Sequence, residues 1–133
     1  GGYCAFLGIE ISHYYDVLRK NLTEIRNKNK NSHLVYIPHG RDFSEETKTI
    51  CKELKIEYKK LPVCIELYIL SLQRSPKEIW GFGSTALYTL QRLCPKTRLT
   101  NITINGTVDN AVEQYREIAN LYGKNGIKNV WIK

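Results

Sequence analysis

Apolar runs and amphipathic stretches alternate along the chain. Tyr3 to Ile9 (YCAFLGI) is nearly all apolar, the pattern of a strand covered on both faces. Ser12 is placed to cap a following helix whose buried stripe is Tyr15, Leu18, Leu22 and Ile25. After a polar break from Asn27 to Ser32, a second apolar run, His33 to Ile37, ends at Pro38. Ser44, followed by Glu45, Glu46 and Thr47, predicts an N-cap with acids in the first turn of a helix reaching about Leu54. Ile56 to Lys60 predicts a short strand near a sheet edge, and Pro62 opens an apolar helix to about Leu72. Then come a strand at Lys77–Gly81, a helix at Ser84–Leu93 and a strand at Arg98–Ile104. A helix at Val108–Leu121, capped by Thr107 or Asp109, and an extended piece at Lys128–Ile132 complete the pattern. This order predicts an α/β fold, a doubly wound parallel sheet with helices on both faces. With no repeat, low-complexity tract or linker, residues 1–133 read as one domain.

Bulk composition narrows the classes. A chain of 133 residues buries roughly two-thirds of its unfolded surface, enough for a core. The longest apolar run, Leu61 to Leu72, is broken by Pro62 and Glu66 and falls short of the roughly 20 residues a bilayer span needs. No targeting segment is visible, and a cytoplasmic location is expected. The net charge of +7 is spread along the chain: residues 1–60 carry 11 basic and 8 acidic groups, and residues 61–133 carry 9 and 5. Its densest stretch, Arg26 to Lys30, reads as a solvated helix end. A basic balance favours anionic partners such as phosphates, acidic sugars or an anionic membrane face. Cys4, Cys51, Cys64 and Cys94 form no close metal-binding or redox pair, and buried free thiols in a reducing compartment are expected. There is no methionine, which suggests a processed or trimmed piece.

Open parallel sheets bind ligands beyond the carboxyl ends of their strands. Three predicted strand-end loops carry polar groups there: Gly8 to Ser12, Pro38 to Asp42, and Gly81-Phe82-Gly83-Ser84-Thr85. In the common strand order the first and last of these flank a crevice. Gly81 and Gly83 permit a tight turn and close backbone approach, and Ser84 and Thr85 add hydroxyls to the free amides of a helix start. This suits a phosphate, and it equally suits a serine capping its own helix. His39, on a strand-end loop near Arg41, is either a loop histidine bonded to backbone or a proton donor to a leaving group. Glu66 is either a helix-start acid facing water or an acceptor for ribose hydroxyls; His13 and His33 read as structural or surface groups. The dinucleotide fingerprint and the longer phosphate loop are absent, and no acidic cluster suggests magnesium, so neither a metal nor a cofactor is expected.

Three segments together, Tyr36-Ile37-Pro38-His39-Gly40-Arg41-Asp42, Leu61-Pro62-Val63-Cys64-Ile65-Glu66 and Gly81-Phe82-Gly83-Ser84-Thr85-Ala86-Leu87, resemble bacterial sialyltransferases, most of all the capsular polysialyltransferases and the lipooligosaccharide sialyltransferases. The resemblance runs from about Leu7 to Leu90. It implies a Rossmann-like fold, the C-terminal, CMP-sialic-acid-binding half of a two-domain GT-B glycosyltransferase. It implies an inverting, metal-independent transfer of sialic acid from CMP-sialic acid to a glycan acceptor, as in capsule or lipooligosaccharide biosynthesis. On the matching positions, His39 protonates the departing CMP, Ser84 and Thr85 hold the donor phosphate, and Glu66 lies near the ribose or base. Gly8 and Glu10 fall where the family's first strand-end loop meets the donor, and Glu10 or Asp16 is left to deprotonate the acceptor. Gly40 stands where the family has a proline. The acceptor domain that precedes this half in the family is missing, so the chain alone is expected to be inactive. Peripheral association with the cytoplasmic face of the inner membrane is a further expectation, and nucleic acid is not an expected partner. The competing reading is a basic, non-catalytic α/β module for nucleic acid or an anionic membrane surface, resting on the +7 charge and nine tyrosines. Against it, the lysines are dispersed in sequence and Tyr14, Tyr15, Tyr58, Tyr68, Tyr88 and Tyr115 fall at core-like spacings.

Overall fold

The computed structural model describes residues 9–39, 44–104 and 109–132. Helices and strands alternate strictly along them: α1 (Ile11–Lys28), β1 (Val35–Tyr36), α2 (Glu45–Glu53), β2 (Glu57–Tyr58), α3 (Ile65–Ser71), β3 (Glu78–Phe82), α4 (Ala86–Leu93), β4 (Arg98–Ile104), α5 (Asp109–Lys124) and β5 (Lys128–Ile132). All the strand pairs are parallel, so the fold is α/β as the alternation predicts. The described residues divide into two compact units, Ile9–Pro62 and Val63 onward.

In the first unit β1 and β2 pair in register Val35↔Glu57 and Tyr36↔Tyr58, and the two tyrosine rings stack with centroids 6.0 Å apart. Val17, Leu18 and Leu22 of α1 are buried, as are Ile50 and Cys51 of α2. Each such aliphatic side chain is worth about 1.5–3 kcal/mol on burial. Ser44 caps α2 as predicted, its Oγ accepting the Thr47 amide at 3.3 Å and sharing a 2.6 Å hydrogen bond with the Tyr15 hydroxyl. Arg26, in the last turn of α1, is not simply solvated. Its guanidinium donates to the carbonyls of Asn29 at 3.0 Å and Ser32 at 2.6 Å, folding the chain back after the helix.

In the second unit β4 is the central strand of the sheet β3-β4-β5. Gly81 faces Asn101 across β3–β4, and Asn101 faces Asn129 across β4–β5. Leu87 of α4, Leu99 of β4, Tyr122 of α5 and Ile127 form one core cluster, with Ile79, Tyr88 and Ile118 against it. Ile69, Leu90 and Cys94 form a second, joining α3 to α4. Asn101 is buried on the central strand; its amide donates to Thr103 Oγ1 at 3.3 Å and Asn129 Oδ1 at 3.2 Å, and Asn129 in turn donates to the Ala119 carbonyl at 2.7 Å.

Several expectations are corrected. Ser12 does not cap α1: the extended residue before the helix is Glu10, whose carbonyl accepts the Tyr14 amide at 3.0 Å, so the helix opens before the serine and without a side-chain cap. The apolar segment after Pro62 becomes helical only at Ile65, with Cys64 at the N-cap; Cys64 is therefore exposed, whereas Cys51 and Cys94 are buried. The predicted strand at Tyr3–Ile9, apart from Ile9, lies outside the described residues, as do Cys4 and the Thr107 cap, and so does the crevice that this strand was expected to help form.

Candidate anion-binding turn

The connection from β3 to α4 is the Gly81–Thr85 segment. Gly81 and Phe82 are still in β3, and the Gly83 amide extends the ladder by donating to the Ile102 carbonyl at 3.1 Å. The chain then reverses at Gly83, whose φ of +59° is a left-handed conformation open to glycine at little cost. A Cβ there would stand 2.6 Å from Cε1 of Tyr115 on α5, and a Cβ on Gly81 would stand 2.9 Å from Cδ1 of Leu87. Both glycines are thus demanded by packing within the unit: two helices press on the turn from the side of the sheet they cover.

Ser84 then caps the helix. Its Oγ accepts the Ala86 amide at 3.3 Å, and its carbonyl accepts the Tyr122 hydroxyl at 2.7 Å and the Leu87 amide at 3.4 Å. Burial pushes the phenols of Tyr115 and Tyr122 above their ordinary pKa. Thr85 is already in the helical region at φ −67°, ψ −21°, is exposed, and makes no cap bond through its side chain. Its carbonyl accepts the Tyr88 amide at 3.3 Å. The amides of Ser84 and Thr85 have no acceptor among the described residues. Because the Ser84 oxygen acts as acceptor to Ala86, its own proton remains available to a ligand. Two amides, two hydroxyls and about half a positive charge therefore lie together at the start of α4. The cap leaves these donors unengaged.

Glu66 lies in the first turn of α3 and is half-buried. Its neighbour Ile65 packs on the Ile69–Leu90–Cys94 cluster, on which Ala86 at the start of α4 also packs. His39 is exposed and follows the buried Pro38, two residues beyond β1, and Glu10 is exposed before α1. Both belong to the Ile9–Pro62 unit, while Glu66, Gly81, Gly83, Ser84 and Thr85 belong to the other. Gly8 and the residues 40–43 that follow His39 lie outside the described residues. His33 pairs with Glu57 at 2.8 Å on the surface of the first unit, in keeping with a surface role.

Compared with protein-family models, curated proteins and solved structures, the chain matches none. Among the residues that carry the site are two the sequence reading did not assign to it. Tyr115 reads as packing, and it does pack, but on the one glycine whose φ makes the turn; Tyr122, one heptad on, ties down the Ser84 carbonyl. Their spacing of seven on α5 places both on one face of the helix, which is the signal that links them. Among the described residues no three His, Cys, Asp or Glu side chains gather as a metal-ligand set, and no helix is long and apolar enough to cross a membrane.

Proposed function

We propose that the chain is the donor-binding domain of an inverting sialyltransferase that takes CMP-sialic acid and transfers the sugar to a glycan hydroxyl. The observation that carries this reading is the Ser84–Thr85 start of α4, where two unengaged amides and two hydroxyls stand beyond the carboxyl end of β3. The resemblance of the His39, Glu66 and Ser84–Thr85 segments to the sialyltransferases narrows the anion to the phosphate of a CMP-sugar. In the transfer, an acceptor oxygen forms a bond to the anomeric carbon as the bond from that carbon to the phosphate oxygen breaks. The negative charge that grows on the phosphate is met by the Ser84 and Thr85 donors and the helix end, and the resemblance assigns to His39 the proton for the departing CMP. The resemblance leaves Glu10 or Asp16 to take the proton from the acceptor. A well-placed donor to developing charge of this kind contributes about 3–4 kcal/mol.

Titrating CMP, UDP and GDP separately, with thermal unfolding as the readout, tests the donor class. CMP is expected to raise the unfolding temperature at concentrations where UDP and GDP do not; equal shifts from all three nucleotides would remove the cytidine assignment.

A further inference from the structure

The cations that look dispersed along residues 63–133 are gathered by the fold. At the amino ends of β3, β4 and β5, opposite to the turn described above, lies an open cleft of about 510 Å³ whose lining includes Lys96, Arg98 and Lys128. A neighbouring hollow of about 580 Å³ shares Lys96 and adds Arg74 and Lys77. Among the described residues the one acid that lines either is Glu78, and it is already engaged by Arg98. Arg74, Lys77, Lys96 and Lys128 have no carboxylate partner among the described residues. The carboxyl ends of α4 and α5 point to this edge, with Cys94 lining one hollow and Asn125 and Gly126 the other. Two helix ends contribute about one negative charge in all, against a formal excess of four positive charges. Neutralising helix dipoles therefore does not account for the edge. Neutral polar groups shape the cleft wall: Gln91 Nε2 donates to the Asn125 carbonyl, and Thr97 Oγ1 donates to the Pro76 carbonyl at 2.7 Å. The cleft is within the size range of small-molecule sites.

We infer that this amino-edge cleft binds a compact phosphoryl anion carrying two or more charges, gripped by Lys96 and Lys128 from the starts of β4 and β5. A monovalent carboxylate would leave one of Lys96 and Lys128 unmatched. Such a phosphoryl group is available free in solution or on an anionic lipid headgroup, and the test separates the two. The site is independent of the Ser84–Thr85 turn.

The experiment is an amide NMR titration of the full chain with inorganic pyrophosphate at low ionic strength, run beside vesicles containing phosphatidylglycerol. Pyrophosphate is expected to shift the amides of Thr97, Arg98, Gly126 and Lys128, and Lys96→Gln with Lys128→Gln is expected to weaken that binding at least 10-fold. Both side chains are exposed, so the variant retains its fold, and its CMP affinity stays as in the parent. Shifts at the edge with free pyrophosphate support the inference with a soluble ligand. Vesicle binding that the double variant weakens, with no edge shifts from pyrophosphate, supports it with a headgroup as the source. Shifts confined to Ser84–Ala86, together with vesicle binding that is absent or unaffected by the variant, overturn it and leave the turn untouched.

Discussion

Gly83→Ala tests the packing of the turn most sharply. An alanine at φ +59° pays about 1–2 kcal/mol for the left-handed conformation. Its Cβ would also lie 2.6 Å from Tyr115 Cε1, so the ring, held on α5, must give way. Overpacking of that kind costs about 1–3 kcal/mol, and the smaller entropy of the unfolded alanine chain returns about 0.4–1 kcal/mol. The expected net loss is about 2–4 kcal/mol. Gly126 is the internal control: its φ is +78°, but nothing stands within 4 Å of a Cβ built there. Gly126→Ala should therefore cost only the conformational part, about 1 kcal/mol. Urea unfolding followed by tryptophan fluorescence reads this unit directly, because Trp80 lies on β3 and Trp131 on β5. In a Tyr115→Ala background the excess cost of Gly83→Ala over Gly126→Ala should vanish. If the two alanine variants are equally stable in the parent background, Tyr115 does not press on the turn and the explanation of Gly83 fails.

Tyr122→Phe removes the hydroxyl donor to the Ser84 carbonyl and should cost about 1 kcal/mol by the same unfolding assay, with no cost refuting the anchor. Ser44→Ala removes both the N-cap of α2 and the partner of Tyr15, so a loss of about 1–2 kcal/mol is expected by far-UV circular dichroism; a change under 0.3 kcal/mol would contradict the cap. Burial pushes the Cys51 thiol up from 9.0 to about 11. A raised folded pKa stabilises the fold below the unfolded value, so stability should fall as pH rises from about 9 to about 11, and Cys51→Ala should flatten that part of the pH profile. In the native protein at pH 8 a thiol reagent should modify exposed Cys64 rapidly and Cys51 only on unfolding; simultaneous modification would contradict the burial.

The strong periodicities were legible in the sequence. Arg98–Ile104 is a strand over the whole predicted range because alternation and β-branched residues agree there, and Ser44 caps α2 because serine and two acids coincide with an apolar stripe. Where two local signals compete, the sequence misplaces a helix start. Pro62 looks like a first helical residue, but Pro62 and Val63 stay outside α3 and Cys64 takes the cap. Ser12 is a good cap residue, yet α1 opens two residues earlier than a cap there requires, because the backbone turns in at Glu10. At the turn, the glycine-serine pattern predicted a tight turn and close approach to a ligand, but not the packing that bears on both glycines. The side chains, Leu87 and Tyr115, come from α4 and from a helix more than 25 residues away, and only packing brings them there. The charge pattern was hidden for the same reason: Arg74, Lys96 and Lys128 are far apart in sequence and share an edge only because three parallel strands begin there.

The central claim is that the start of α4 holds the phosphate of a CMP-sugar. Titrating CMP into the parent chain and into the variant carrying Ser84→Ala and Thr85→Ala tests it most directly, with calorimetry as the readout. Two lost hydrogen bonds to a charged group, each worth about 1.5–3 kcal/mol, predict an affinity at least 100-fold weaker in the variant. Equal CMP affinity in the two proteins, both folded by circular dichroism, would contradict the claim.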